Sequence, residues 1–273
     1  MNAAAVTLQI VDWLRTYADA ARARGFAVGV SGGIDSAVTA GLCAATGLEV
    51  HLIEMPIHQA PDQVSRAQEW MRLLAQRHAA VSARRVDLTA VFDAHVEALG
   101  LSESALQTLA LANTRARLRM ATLYAVAQNH GLLVAGTGNK VEDFGVGFFT
   151  KYGDGGVDLS PIADLYKSQV YAVAGHLGVP QAILDAPPTD GLWNDGRTDE
   201  DQLGASYAEL ESAMEFARIH HWSPESTDDD RSWANRAGLS DRDLDVFLIY
   251  TRFHRANLHK MRPIPVCAVA ASN

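Results

Sequence analysis

The segment Gly29-Val30-Ser31-Gly32-Gly33-Ile34-Asp35-Ser36 constrains this chain more than any other, because an apolar run precedes it and a helical pattern follows. Residues 26–30 read as a strand and residues 35–45 as a helix. Gly32 and Gly33 admit positive φ and close backbone approach, while Ser31, Ser36 and the first helical amides offer donors to an anion. Asp35 can hold a magnesium ion beside it. The segment lacks both the Gly-Lys-Ser/Thr ending of a Walker loop and the G-x-G-x-x-G spacing of a dinucleotide loop. The bland alternative is a Gly-Gly turn capped by Ser31 or Asp35; a strand before and a helix after favour a phosphate cradle.

The rest of the chain repeats the same alternation. Val6, Ile10, Leu14 and Tyr17 recur at helical spacing, so a helix is expected over about 3–24, ended by Gly25. Strands are expected at 50–53, 83–88 and 132–137, and helices at about 61–78 and 105–129. Strands alternating with helices imply βαβ units, so the expected fold is α/β: a doubly wound parallel sheet flanked by helices, in a single domain spanning 1–273. In such sheets the ligand lies outside the carboxyl ends of the strands.

Charge and cysteine usage narrow the function classes. A net charge of −9 opposes a nucleic-acid backbone as main partner, since phosphate binding needs a basic surface. Cys43 and Cys267 have no spacing that suggests a metal site or a disulfide framework. Asp12, Arg15 and Asp19 interrupt the N-terminal apolar pattern, and no run of about 18 apolar residues occurs, so no membrane partner and a cytoplasmic location are expected.

A second segment, Gly136-Thr137-Gly138-Asn139-Lys140-Val141-Glu142-Asp143, continues through Gly147-Phe148-Phe149-Thr150-Lys151-Tyr152-Gly153-Asp154-Gly155-Gly156-Val157-Asp158. It is a polar, glycine-dense stretch after an apolar run, where an open α/β sheet places its ligand. Ser-Gly-Gly-x-Asp-Ser resembles the pyrophosphate loop of the N-type ATP pyrophosphatases. The stretch from Gly136 to Asp158 resembles the signature of one branch, the NAD synthetases, and the likeness runs from Gly29 to about Pro265.

The resemblance implies an adenine nucleotide alpha hydrolase-like fold and a set of roles. ATP would be held by Gly29, Val30, Ser31, Gly32, Gly33, Ile34, Asp35, Ser36, Thr137, Lys167 and Thr189; Asp35 and Glu142 would bind Mg2+. The nicotinate dinucleotide, deamido-NAD, would meet Arg117, Lys151, Asp158, His259 and Lys260, the last two in a C-terminal tail at about 240–265 that closes over it. Without the resemblance, three arginines on one helix are more often a solvated face, and Lys167 is surface filler. Lys167 and Asp154 are the catalytic candidates. Asp154 either orients and deprotonates the incoming ammonium or caps a turn among glycines.

The implied chemistry is amidation. A carboxylate oxygen attacks the α-phosphorus of ATP, pyrophosphate leaves, and ammonia displaces AMP from the acyl-adenylate. The 273 residues leave no segment for a glutaminase domain and place neither cysteine in a nucleophile-like setting, so free ammonia is the expected donor and a separate glutaminase subunit is not indicated. Members of this size are homodimers, and the first helix with the 105–129 helix would suit that interface. Two stretches depart from the family pattern: 57–62, which is less polar, and 190–197, which leaves the choice between dinucleotide and mononucleotide open. The alternatives are therefore a mononucleotide-amidating relative and a non-catalytic nucleotide-binding protein on the same fold.

Overall fold

The computed structural model describes residues 1–59, 61–101, 104–188 and 198–269. Four parallel strands form the sheet: β1 (Gly25–Gly29), β2 (Glu49–Glu54), β3 (Val81–Arg85) and β4 (Leu133–Ala135), in the order β3-β2-β1-β4. The chain steps outward from β1 to β3, then returns to the other side of β1. Order therefore reverses between β1 and β4, and a crevice opens at their carboxyl ends.

Strand alternation feeds two cores. Phe26, Val28, Val50, Leu52 and Ala135 face one side, where α1 (Ala3–Ala20), α2 (Ile34–Ala45), α3 (Pro61–Arg77), α6 (Lys167–Leu177) and α7 (Gln181–Leu184) pack. Ala27, Ile53 and Val134 face the other, against α4 (Thr89–Leu99) and α5 (Ala105–His130). β1 is apolar on both faces because helices cover both, whereas β2 carries Glu49, His51 and Glu54 beside apolar Val50, Leu52 and Ile53. Four further helices follow: α8 (Asp199–Leu203), α9 (Tyr207–Ile219), α10 (Asp230–Arg236) and α11 (Asp241–Met261). They build a third core around Phe247 and Leu210 that also buries Val141 and Val146.

Several boundaries differ from the sequence expectations for local reasons. The first helix stops at Ala20, short of 24, and Arg22 turns the chain at φ 55°. Strand β3 begins two residues before the expected 83 and ends at Arg85, because Asp87 accepts from Thr89 N at 3.0 Å and starts α4. The C-terminal stretch at about 240–265 is corrected from a tail to a 21-residue helix with Leu244, Phe247 and Tyr250 buried on one face. Among the described residues, no helix is long and apolar enough to cross a membrane.

Candidate active site

The loop between β1 and α2 is held by its own side chains. Ser31 N donates to Ser36 Oγ at 3.1 Å, Gly33 N to Ser31 Oγ at 3.3 Å, and Ser36 Oγ to Gly33 O at 3.0 Å. Gly32 sits at φ +87°, and a Cβ there would fall 2.4 Å from Gln63 O, so only glycine lets α3 pack this close. The α2 amino terminus opens without a side-chain cap, which leaves its first amides to an anion.

Across the crevice, the segment after β4 enters a π-helical turn, Val141–Val146. Fully buried Asn139 ties it down: Oδ1 accepts from Val141 N at 3.0 Å and Glu142 N at 3.2 Å, while Nδ2 donates to Asp35 Oδ1 at 3.2 Å. From α6, Lys167 Nζ reaches Asp35 Oδ2 at 2.6 Å and Glu142 Oε1 at 3.1 Å. Lys167 is 4% exposed, so this ammonium is placed by burial and is no surface filler. The two carboxylates hold its pKa above the ordinary lysine value despite desolvation, which pulls the other way. Burial pushes Asp35 upward against the pull of that same ammonium.

Tyr207, at the start of α9, completes the centre. Its hydroxyl lies 2.5 Å from Glu142 Oε1 and 3.2 Å from Asp199 Oδ2, and Lys167 Nζ lies 4.5 Å from the centre of its ring. Burial and these carboxylates raise the phenol pKa, so it remains a donor. The sequence reading missed Asn139, Tyr207 and Asp199, because each looks ordinary until the fold brings it beside Asp35 and Glu142.

Asp35, Glu142, Lys167 and Asp199 line one cavity of about 260 Å³, which also includes Thr137 and Asp154. Asp154 Oδ1 accepts from Thr150 N at 2.9 Å, so the aspartate caps its turn and also faces the cavity. Surrounding protein raises its pKa above the ordinary 3.8. Neighbouring Asp143 is raised further by burial and by Glu142, Asp154 and Asp35. Gly138 leaves the space that the Asp143 carboxylate occupies, since a Cβ would lie 2.1 Å from Asp143 Oδ1 and displace it.

Four of the five residues that the resemblance assigns to deamido-NAD, Arg117, Lys151, His259 and Lys260, form a second group beside the cavity. Arg117 Nη2 donates to Lys151 O at 3.4 Å, Lys151 Nζ to His259 O at 2.7 Å, and Lys260 Nζ to Phe149 O at 2.7 Å. The end of α11 is thus fastened to the glycine-dense segment. Arg117 is exposed on α5; Arg119, two residues on and so on roughly the opposite face of the helix, lines the cavity and donates to Met55 O at 3.0 Å. Asp158 stands apart, accepting from Val134 N at 2.8 Å and Tyr124 OH at 3.0 Å. Thr189 and the 190–197 loop lie outside the described residues.

A family model described as NAD synthase matches residues 6–236. The chain belongs to the NAD synthase family. It is 41% identical over 267 residues to the NH(3)-dependent NAD(+) synthetase of Alkaliphilus oremlandii, covering 94% of this chain and 95% of that one. The enzyme of the same name from Finegoldia magna is 40% identical over 215 residues, 78% of this chain and 85% of its own. Among solved structures, NMN synthetase from Francisella tularensis superposes with a TM-score of 0.80 at 29% identity, covering 98% of this chain and all of that one. NAD+ synthetase from Burkholderia pseudomallei gives 0.70 at 26%, covering 95% and 90%. The fold expected from the sequence, adenine nucleotide alpha hydrolase-like, is therefore the fold of this NAD synthase family member.

Proposed function

We propose that this chain, an ATP-dependent ligase of the NAD synthase family, amidates deamido-NAD to NAD with free ammonia, releasing AMP and pyrophosphate. The observation that carries the reading is the meeting of Asp35, Glu142 and Lys167 at the mouth of the phosphate loop. Nicotinate is a poor electrophile, because its charge is delocalised and hydroxide is not a leaving group at neutral pH. Its oxygen therefore attacks the α-phosphorus first; ammonia then adds to the acyl carbon, loses a proton, and AMP leaves with that oxygen.

The side chains supply alignment and charge. Ser31, Ser36 and the α2 amides hold the departing pyrophosphate, with Lys167 neutralising it. Asp35 and Glu142 fit a divalent ion, since carboxylates from two strand ends already converge on one cationic centre. Bound Mg2+ would supply charge neutralisation of the phosphate oxygens. Asp154 orients the ammonium and takes its proton. Arg117, Lys151, Asp158, His259 and Lys260 meet the dinucleotide, and Thr137 and Thr189 meet ATP. Exposed Leu8 and Trp13 on α1 and Leu106 and Leu109 on α5 support a homodimer, and the cytoplasm suits a soluble metabolic ligase.

A specific observation favours a second reading: the superposition on a protein named NMN synthetase. Rates with the two nicotinate nucleotides separate them. If the adenylate half adds about two contacts, deamido-NAD should win in kcat/KM by roughly 30- to 200-fold, or 2–3 kcal/mol. Equal or better use of the mononucleotide would reassign the substrate and leave the adenylation chemistry in place.

A further inference from the structure

Glu49 opens β2 at the amino-terminal edge of the sheet, the opposite end from the phosphate loop. Residues two apart on a strand share a face, so Glu49, His51 and Ile53 all point toward α5, where Ile53 packs with Val126 and Ala127. That helix ends at His130. Three metal-ligating side chains from two elements therefore meet, and their ligand atoms lie within 4.8 Å of one another; among the described residues no other trio of His, Cys, Asp or Glu does so.

The details suit a cation. Glu49 Oε1 lies 3.0 Å from His51 Nε2 and 3.9 Å from His130 Nδ1, and the imidazole rings are 4.2 Å apart between centres. Arg24 Nη2 holds the other oxygen, Oε2, at 2.8 Å, which orients the carboxylate and leaves Oε1 to the histidines. His130 terminates a 26-residue helix, whose carboxyl end carries partial negative charge. Side-chain exposures of 13% for His51, 26% for Glu49 and 33% for His130 leave the group reachable from solvent.

We propose that Glu49, His51 and His130 form a site for a first-row transition metal of the zinc class, clamping β2 to the end of α5. Two imidazoles and one carboxylate favour Zn2+, Co2+ or Ni2+ over Mg2+, whose ligands are oxygens. Ligand atoms of a four-coordinate zinc site are spaced about 3.3 Å apart, given bonds near 2.0–2.1 Å. Ligand atoms now within 4.8 Å of one another reach that spacing by movements of about 1.5 Å or less, within the range of side-chain adjustment. The fourth position would take water. The site is separate from the amidation centre, so its loss leaves that reaction unchanged.

The test is titration of tag-free, chelator-treated protein with Zn2+ in buffer containing excess Mg2+, with Co2+ absorption as a second report of imidazole ligation. Expected are one equivalent bound at micromolar Kd or tighter, at least about tenfold weaker binding in folded His130→Ala, and unaltered amidation in that variant. Zn2+ affinity unchanged in His130→Ala, or lost instead in Glu142→Gln, overturns the proposal, as does the absence of a one-equivalent site.

Discussion

The Lys167 ammonium lies 2.6 Å from the Asp35 carboxylate, although 132 residues separate them. Glu142 shares the same ammonium, so one cation balances two carboxylates delivered from opposite sides of the crevice. Lys167→Ala should therefore damage both chemistry and fold. Losing a preorganised charge contact costs about 2.7–4 kcal/mol of barrier, or 10²–10³ in turnover. Removing one member of a buried ion pair costs roughly 3–5 kcal/mol of stability. Added Mg2+ should restore part of that stability, readable by thermal unfolding. Asp35→Asn should lose turnover with less loss of stability, because amide oxygen still meets Lys167.

Gly32→Ala tests the cradle. The substitution places a side chain at φ +87° and against the Gln63 carbonyl. Left-handed backbone costs an L-residue about 1–2 kcal/mol before the clash is counted. ATP affinity, measured by direct titration, is expected to fall at least tenfold; unchanged affinity would remove this loop from phosphate binding.

Asp154 gives a pH dependence whose sign is fixed by its environment. Burial raises its pKa, so the ionised form, which in the proposed reaction accepts a proton from ammonium, predominates above that raised value and is lost as pH falls through it. Rates expressed per ammonium ion should show an acid limb above the ordinary carboxylate range. Asp154→Asn should lower the rate and remove the limb; a limb that persists would assign it to another group.

Asp143 predicts the opposite kind of effect, on stability. Its pKa is raised on folding, so folding favours the protonated form, and its contribution to stability declines as pH rises from 3.8 through the folded value. Asp143→Asn is expected to raise Tm near pH 8, by about 2–4 °C for each kcal/mol recovered, with the gain shrinking as pH falls toward 4. Differential scanning calorimetry at several pH values reads it.

What was legible in the sequence divides along local and non-local lines. The strand-loop-helix unit around Ser31 is written in contiguous residues, so its form and its place followed from pattern alone. Lys167 needed the family resemblance, because nothing near it in sequence distinguishes a buried lysine from a solvated one. Tyr207 and Asp199 were invisible for a further reason: they join Glu142 only after α8 and α9 pack onto the π-helical turn, across 65 residues in the case of Tyr207. Helix α4 escaped notice because Phe92 alone is buried on it and its periodicity is correspondingly weak.

The central claim, that the carboxylate is activated by adenylation and then amidated, is tested most directly by oxygen-18. Deamido-NAD labelled in the nicotinate carboxylate is incubated with ATP, Mg2+ and ammonium, and the products are weighed by mass spectrometry. The account predicts NAD and AMP in equal amounts, with one labelled oxygen carried into AMP, and no label in pyrophosphate. Unlabelled AMP, or ADP with the label in orthophosphate, would contradict it.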